Sequence, residues 1–279
     1  MILHILNYFH RKGFYRALSF VCTVMYFLKG YGYVRTIYQP AFRAYEYNVK
    51  GVAFLSMGPG WAYSFTYLKE LLVTTYCHQY LPQSADCVVD IGSGLGEEVV
   101  IFALLVGEKG SVHALEANPS TYAGLKHICQ QNKFNWVIPH HAAIYNQDGW
   151  VTIEDDEENY LTNTITVEDA QKSGLSVNSK TLDSFVRENN ISKIDFLKSN
   201  IEGAEQFLIQ GMMNSIGILR NVCISCHDFR HVFHNHGEFY MTKQKVIAFL
   251  EEHGFEIIIR NTGNRVVDDY IYGKNTRIK

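Results

Sequence analysis

The sequence predicts an α/β fold in which a mostly parallel sheet carries helices on both faces, preceded by a helical N-terminal extension. Three observations carry this. From Cys87 onward, short apolar runs alternate with helix-length amphipathic segments, a glycine-rich stretch (Gly92 to Gly96) directly follows the first run, and the chain finishes on a helix and two apolar runs. The elements read in order as strand Cys87 to Ile91, helix Glu97 to Val106, strand Ser111 to Glu116, helix Ser120 to Asn132 and strand Val137 to Ile144. After a polar interval come helix Leu182 to Glu188, strand Ile194 to Lys198, helix Ala204 to Met212, strand Asn221 to Ser225 and helix Thr242 to His253. Strands Phe255 to Arg260 and Val266 to Tyr272 close as an antiparallel hairpin. Gly107 and Gly110 end the first helix, and Asn118-Pro119-Ser120 supplies a break and an N-cap for the second. Between Trp150 and Lys180 the acidic run Glu154 to Glu158 and the β-branched Thr162 to Thr166 read as a hairpin or excursion over the site.

With 279 residues and 47% hydrophobic content the chain can bury a sizeable core, so one domain with an appendage is expected: residues 1–80 as extension and cap, 81–279 as the α/β domain. The formal charge of -3 offers no broad cationic face, which argues against nucleic acid as a partner. Six scattered cysteines fit reduced thiols in a cytoplasmic protein; Cys223 and Cys226 have CxxC spacing but lie in and beside an apolar run with no second pair. Near the N-terminus, basic residues (His10, Arg11, Lys12, Arg16) precede an apolar run, Ala17 to Leu28, of only 12 residues. That is short of the roughly 20 needed to span a bilayer. The aromatic residues around it leave three roles open: packing or homo-oligomer contact, a helix lying on a membrane surface, and a signal or anchor. A Gly-Pro-Gly turn at 58 to 60 then leads into a helical stretch, Ser64 to Tyr76. Trp61, Tyr63 and Tyr67 in this region suit either a stacked ligand or ordinary packing.

Val88-Val89-Asp90-Ile91-Gly92-Ser93-Gly94-Leu95-Gly96-Glu97 is a strand, a tight turn and a helix start, the context in which a glycine loop holds a ligand. Gly92 and Gly94 remove Cβ atoms where a ligand touches backbone, Ser93 sits between them, and Gly96 lets helix approach strand. The glycines alone do not choose among nucleotide cofactors. Asp90 before them, Glu97 where a pyrophosphate would meet negative charge, and the mid-chain position favour S-adenosylmethionine over a nicotinamide cofactor, with Asp90 accepting from its ammonium. Glu116 ends the next strand 20 residues after Gly96, where a carboxylate accepts from ribose hydroxyls. The end of the third strand, His140-His141-Ala142-Ala143, falls where an adenine base would sit, and Ala117 directly follows Glu116.

Together with Asp195-Phe196-Leu197-Lys198-Ser199-Asn200-Ile201-Glu202-Gly203-Ala204-Glu205, and with Thr181-Leu182-Asp183-Ser184-Phe185 upstream, these residues resemble the FkbM-type methyltransferase family over roughly Val88 to Ile259. The resemblance implies a Rossmann-like class I methyltransferase fold with a seven-stranded sheet and terminal β-hairpin. It also implies O-methylation of a hydroxyl on a sugar, glycan or secondary metabolite. One departure stands out: Asn200 is an amide where the family pattern carries Asp. Some related sugar O-methyltransferases place a divalent-metal ligand near that point, with partners that would here be His227 and Asp228. An amide adds no charge, so no metal site is assigned; Asn200 and Asp228 are the positions where ligands would fall.

His227, Asp228, His231, His234 and His236 follow the fifth strand of the alternation. Three readings stay open: a general base at His227 or His231 for a hydroxyl acceptor, a transition-metal site, or a polar pocket lining without chemistry. Glu205 reads as a helix cap and Glu202 as a site residue. Thus Asp90, Gly92, Ser93, Gly94, Gly96, Glu97, Glu116, Ala117, His141, Ala142 and Asn200 are expected to hold the cofactor. Asn200, Glu202, His227 and Asp228 are expected to frame the acceptor. The rival readings are N- or C-methylation of a small metabolite or peptide, an inactive cofactor-binding scaffold, and a nicotinamide oxidoreductase.

Overall fold

The computed structural model describes residues 2–59, 65–154, 174–234 and 237–278. Helices α1 (Ile2–Arg11) and α2 (Tyr15–Leu28) lead into an antiparallel three-stranded sheet of β1 (Val34–Gln39), β2 (Ala44–Val49) and β3 (Val52–Ser56), followed by α3 (Phe65–Tyr76). Strands β1 and β2 are not among the elements expected from the sequence. Their period-two pattern is present, with Tyr45, Tyr47 and Val49 turned inward. Lys50 and Gly51 both have positive φ (53° and 87°), joining β2 to β3 by the kind of two-residue turn usually marked by Asn-Gly or Asp-Gly. Trp61 and Tyr63, and the side chain of Tyr67, lie outside the described residues.

The α/β part follows the expected alternation: β4 (Cys87–Ile91), α4 (Glu97–Val106), β5 (Ser111–Glu116), α5 (Pro119–Gln131) and β6 (Val137–His141). A small side sheet comes next, with β7 (Ala143–Ile144), β8 (Gly149–Glu154) and β9 (Gly174–Lys180) in the order β7-β9-β8. The run that read as one strand, Val137 to Ile144, therefore serves two sheets. The interval between β8 and β9, with most of its acidic run, lies outside the described residues. The chain continues with α6 (Leu182–Glu188), β10 (Ile194–Ser199), α7 (Glu205–Gln210), β11 (Leu219–Ser225), α8 (Asp228–His234), α9 (Lys243–Glu252), β12 (Phe255–Ile259), α10 (Arg265–Asp268) and β13 (Tyr270–Asn275).

Seven strands form the central sheet in the order β12-β13-β11-β10-β4-β5-β6. All neighbours are parallel except β13, which runs antiparallel between β11 and β12. All six residues of β10 are buried, as expected for a parallel strand covered on both faces. The final strand begins at Tyr270 rather than Val266: the Asn264 side chain accepts from the Val266 amide and starts the one-turn α10, leaving Val266 exposed.

Alternate residues feed two cores. Val88, Val112 and Phe196 face one side with α4 and α5, where Tyr26, Tyr47, Phe54 and Leu55 of the extension join the same apolar cluster. Val89, Leu115 and Leu197 face the other side with α6, α7 and α9. Polar links reinforce the first junction. The Asn132 side chain exchanges two hydrogen bonds with the backbone of Ala53 (2.7 and 2.8 Å), and Glu46 pairs with His127 at 2.8 Å. All six cysteines are free thiols, Cys223 and Cys226 fully buried.

Candidate active site

The carboxyl ends of β4, β5, β6 and β10, with β3 and the side sheet, enclose a cavity of about 400 Å³. It opens where the chain leaves β4 toward β5 on one side and β10 lies on the other, the switch point at which open α/β sheets bind ligands. The turn after β4 is fixed from behind. The Gly92 and Ser93 amides both donate to the Leu115 carbonyl at 3.0 Å, and the Ser93 hydroxyl donates to the Asp90 carbonyl at 3.0 Å. Gly92 adopts φ 76°, and a Cβ there would stand 2.1 Å from the Asn200 carbonyl oxygen, so only glycine lets the loops after β4 and β10 meet.

Glu116 closes the loop from the β5 side. One carboxylate oxygen accepts from the Gly94 amide (2.7 Å), the other from the Asn118 amide (2.8 Å). Burial pushes its carboxyl upward, and these amides with the Thr121 hydroxyl oppose that shift. With three donors on it, the carboxylate retains one lone-pair site for a ligand hydroxyl. Asn118, as expected, caps α5 by accepting from the Ser120 amide at 2.8 Å.

Of the predicted cofactor residues, Gly92, Ser93, Gly94, Glu97, Glu116, Ala117, Ala142 and Asn200 line the cavity. Gly96 starts α4 and packs against Leu125 behind the loop. His141 is not on the wall; its Nε2 lies 3.0 Å from the Ala117 carbonyl and its ring stacks on Tyr122. Asp90 also departs from expectation. It is fully buried beneath the loop, with Oδ1 2.9 Å from Nζ of Lys198, which also donates to the Gly92 carbonyl at 3.0 Å. Its carboxylate is thus engaged by the chain's own cation, below the cavity wall. Burial disfavours the charge on Lys198, but the carboxylates of Asp90 and Glu98 outweigh it and hold the amine firmly protonated. Lys198 had no role of its own among the sequence-based expectations; the signal available was a lysine following Phe196 and Leu197 in a buried central strand.

Two further carboxylates lie on the wall, Glu97 and Glu98. Burial and the neighbouring Glu98 push Glu97 up to about 8, with the Ser56 hydroxyl opposing. With its carboxyl at about 8, Glu97 is mostly neutral at pH 7, and a cationic ligand would favour its ionised form.

On the acceptor side, Asn200 lines the cavity, and its buried Oδ1 has no hydrogen-bond partner among the described residues. Glu202 lines it too, on left-handed backbone (φ 55°), with its carboxylate 2.7 Å from Arg230 and 3.4 Å from Nε2 of His227. His227 is buried behind, its Nδ1 2.9 Å from Glu205. Burial pushes this imidazole toward neutrality, but Glu205 and Glu202 outweigh it and raise it to about 10. A ring that already carries its proton is not poised as a general base, which corrects that reading of His227. Glu205 is the first residue of α7, but no side chain caps that helix; its carboxylate instead accepts from the Gly203 amide and the Thr242 hydroxyl.

Asp228 likewise stands away from the cavity. Its Oδ1 accepts from the Thr242 and Lys243 amides (2.9 and 3.0 Å), which fastens the start of α9. The histidine-rich segment after β11 is helical from Asp228 to His234 (α8); the side chain of His234, and His236, lie outside the described residues. Among the described residues no group of three or more His, Cys, Asp or Glu is arranged to hold a metal ion.

A glycine turn, a carboxylate closing it and a cavity at the switch point define a Rossmann-like α/β domain with a small-ligand cavity where such folds bind ligands. The Methyltransferase FkbM domain matches residues 86–257, and the chain belongs to that family. No curated protein matches its sequence. Among solved structures it is similar to the methyltransferase FkbM of Methylobacillus flagellatus KT, at 12% identity and a TM-score of 0.48 over 70% of this chain and 45% of that one. The chain thus spans less than half the length of that relative. It is also similar to an O-methyltransferase of Bacillus cereus solved with S-adenosylhomocysteine (15% identity, TM-score 0.47, 77% and 82% of the two chains). The Aeropyrum pernix fibrillarin with natively bound S-adenosyl-L-methionine is a third (12%, 0.43, 82% and 92%).

Proposed function

We propose that this chain is an S-adenosylmethionine-dependent methyltransferase that acts on a hydroxyl of a small-molecule or glycan acceptor. The observation that carries the cofactor is the pairing of Glu116 with the Gly94 amide at the mouth of a cavity of about 400 Å³. That volume falls within the roughly 300–1,000 Å³ of small-ligand sites. The residues fit the cofactor's chemistry: a carboxylate with a lone-pair site for a ribose hydroxyl, apolar walls at Ala142, Ala143, Ile144 and Ile153 for a flat base, and Glu97 and Glu98 against positive charge.

S-adenosylmethionine supplies an electrophilic methyl group on a sulfonium. The protein's task is then alignment of an acceptor oxygen and receipt of the proton it loses. Asn200 Oδ1 and the Glu202 carboxylate are the groups that meet an acceptor hydroxyl, and Arg230 with His227 holds Glu202 in position. Because an oxygen becomes strongly acidic as it gains a methyl group, an ion-paired carboxylate suffices as proton acceptor. His227 acts through Glu202 as a positioning residue.

Calorimetric titration with S-adenosylmethionine and with NAD(H), on the parent chain and Glu116→Ala, tests the reading. Micromolar binding of the sulfonium cofactor alone, weakened in the variant, supports it and opens a labelled-methyl screen of hydroxyl acceptors beginning with glycans. Failure to bind S-adenosylmethionine would overturn it. Cofactor binding without transfer to any hydroxyl, amine or carbon acceptor would leave a cofactor-binding scaffold.

A further inference from the structure

The inner face of α2 does what an amphipathic helix is expected to do: Leu18, Ser19, Cys22 and Tyr26 are buried against the extension's sheet. The outer face is the anomaly. Ala17, Phe20, Val21, Val24, Phe27 and Leu28 recur at three- and four-residue spacing, and all are exposed. Phe20 is 70% exposed, Phe27 65% and Leu28 76%. An apolar stripe of this length on an outward helix face marks a docking surface.

Charge identifies the occupant. Residues 1–45 carry Arg11, Lys12, Arg16, Lys29, Arg35 and Arg43 and no Asp or Glu, in a chain whose formal charge is -3. All six cations are exposed. They frame the stripe, with Lys12 and Arg16 ahead of it and Lys29 immediately after. Exposed Tyr8, Phe9, Phe14, Tyr31 and Tyr33 flank it, the residue type that settles where headgroups meet acyl chains. No described helix is long and apolar enough to cross a membrane, and α2, at 14 residues, spans only about 21 Å. A second copy is a poor fit, because a symmetric contact would set one basic rim against the other.

We infer that α2 lies on an anionic lipid surface, with its apolar stripe among the acyl chains and the flanking lysines and arginines on the headgroups. This surface is separate from the cofactor cavity and stands whatever reaction that cavity performs.

The test is co-sedimentation of the full chain with vesicles of phosphatidylcholine alone and of phosphatidylcholine mixed with phosphatidylglycerol. Binding should favour the anionic vesicles and weaken as salt rises. Phe20→Ser with Phe27→Ser should lower the partition coefficient at least roughly tenfold, since each ring loses its apolar transfer. Lys12→Glu, Arg16→Glu and Lys29→Glu together should remove the preference for anionic vesicles. Thermal unfolding of each variant, which changes only exposed positions, should match the parent. Failure to bind either vesicle, or binding that neither variant set changes, overturns the inference. A dimer in light scattering that the Phe20/Phe27 variant dissociates overturns it in favour of a second copy.

Discussion

Lys198 and Asp90 stand in register on neighbouring strands, Nζ 2.9 Å from Oδ1, with both side chains essentially inaccessible to water. The pair sits under the cofactor loop and couples it to the sheet, because the same amine holds the Gly92 carbonyl. Lys198→Met should cost about 3–5 kcal/mol of stability, the usual penalty for stranding a buried charge. Adding Asp90→Asn should restore part of it. Chemical denaturation of the two variants measures both, and a Lys198→Met chain as stable as the parent would remove the pair from the account.

Gly92→Ala places a methyl group 2.1 Å from the Asn200 carbonyl on backbone at φ 76°. The loop must open to accept it, at a strain of about 1–3 kcal/mol. S-adenosylmethionine affinity should fall at least roughly tenfold per 1.4 kcal/mol lost from the site, while far-ultraviolet circular dichroism stays that of the parent. Unchanged affinity in titration would show that the loop is not part of the binding surface.

Glu97 predicts a pH signature. Its carboxyl, held at about 8, would lose its proton when a cation enters the cavity. Affinity for S-adenosylmethionine should therefore rise with pH up to about 8 and level off above it. Binding should release protons, seen as a heat that depends on the buffer's ionisation enthalpy. Glu97→Gln should flatten the profile; a parent profile already flat from pH 6 to 8 would refute the assignment.

His227 predicts the opposite slope for stability. Its pKa is raised from 6.5 to about 10 on folding, so its contribution is complete below about 6.5 and is lost as pH rises through 10. Denaturation midpoints should fall across that range, and less steeply in His227→Gln. That variant should also be weaker than the parent at pH 7, because Glu205 is left buried beside a neutral amide. Equal pH slopes would mean that the ring is neutral in the folded chain.

Much of this was legible in the chain itself, and what escaped has a common cause. The loop, its carboxylate at Glu116 and the cap at Asn118 are local: spacing along two strands and a turn specifies them. The α/β alternation is legible for the same reason. Asp90 was assigned to the ligand because a strand-end acid in front of glycines looks free, and its engagement by Lys198 depends on the register of a strand 108 residues later. A base at His227 stays among the three open readings of the sequence because its charge state is set by Glu202 and Glu205, which a separate loop and helix bring to it. The β2–β3 turn escaped because Lys50 occupies a positive-φ position where Asn or Asp is the familiar sign.

Ser56, Met57 and Gly58 belong to the N-terminal extension, yet they line the same cavity as Ala142 and Asn200. The ligand site is therefore bipartite. A wall synthesised early has no partner until the strands after residue 86 emerge, and a chain started at residue 81 would lack the part of the wall that Ser56, Met57 and Gly58 supply. Whatever binds there acts as a clasp between the two segments: at a hundredfold excess over its Kd it would add about 2.7 kcal/mol to their association.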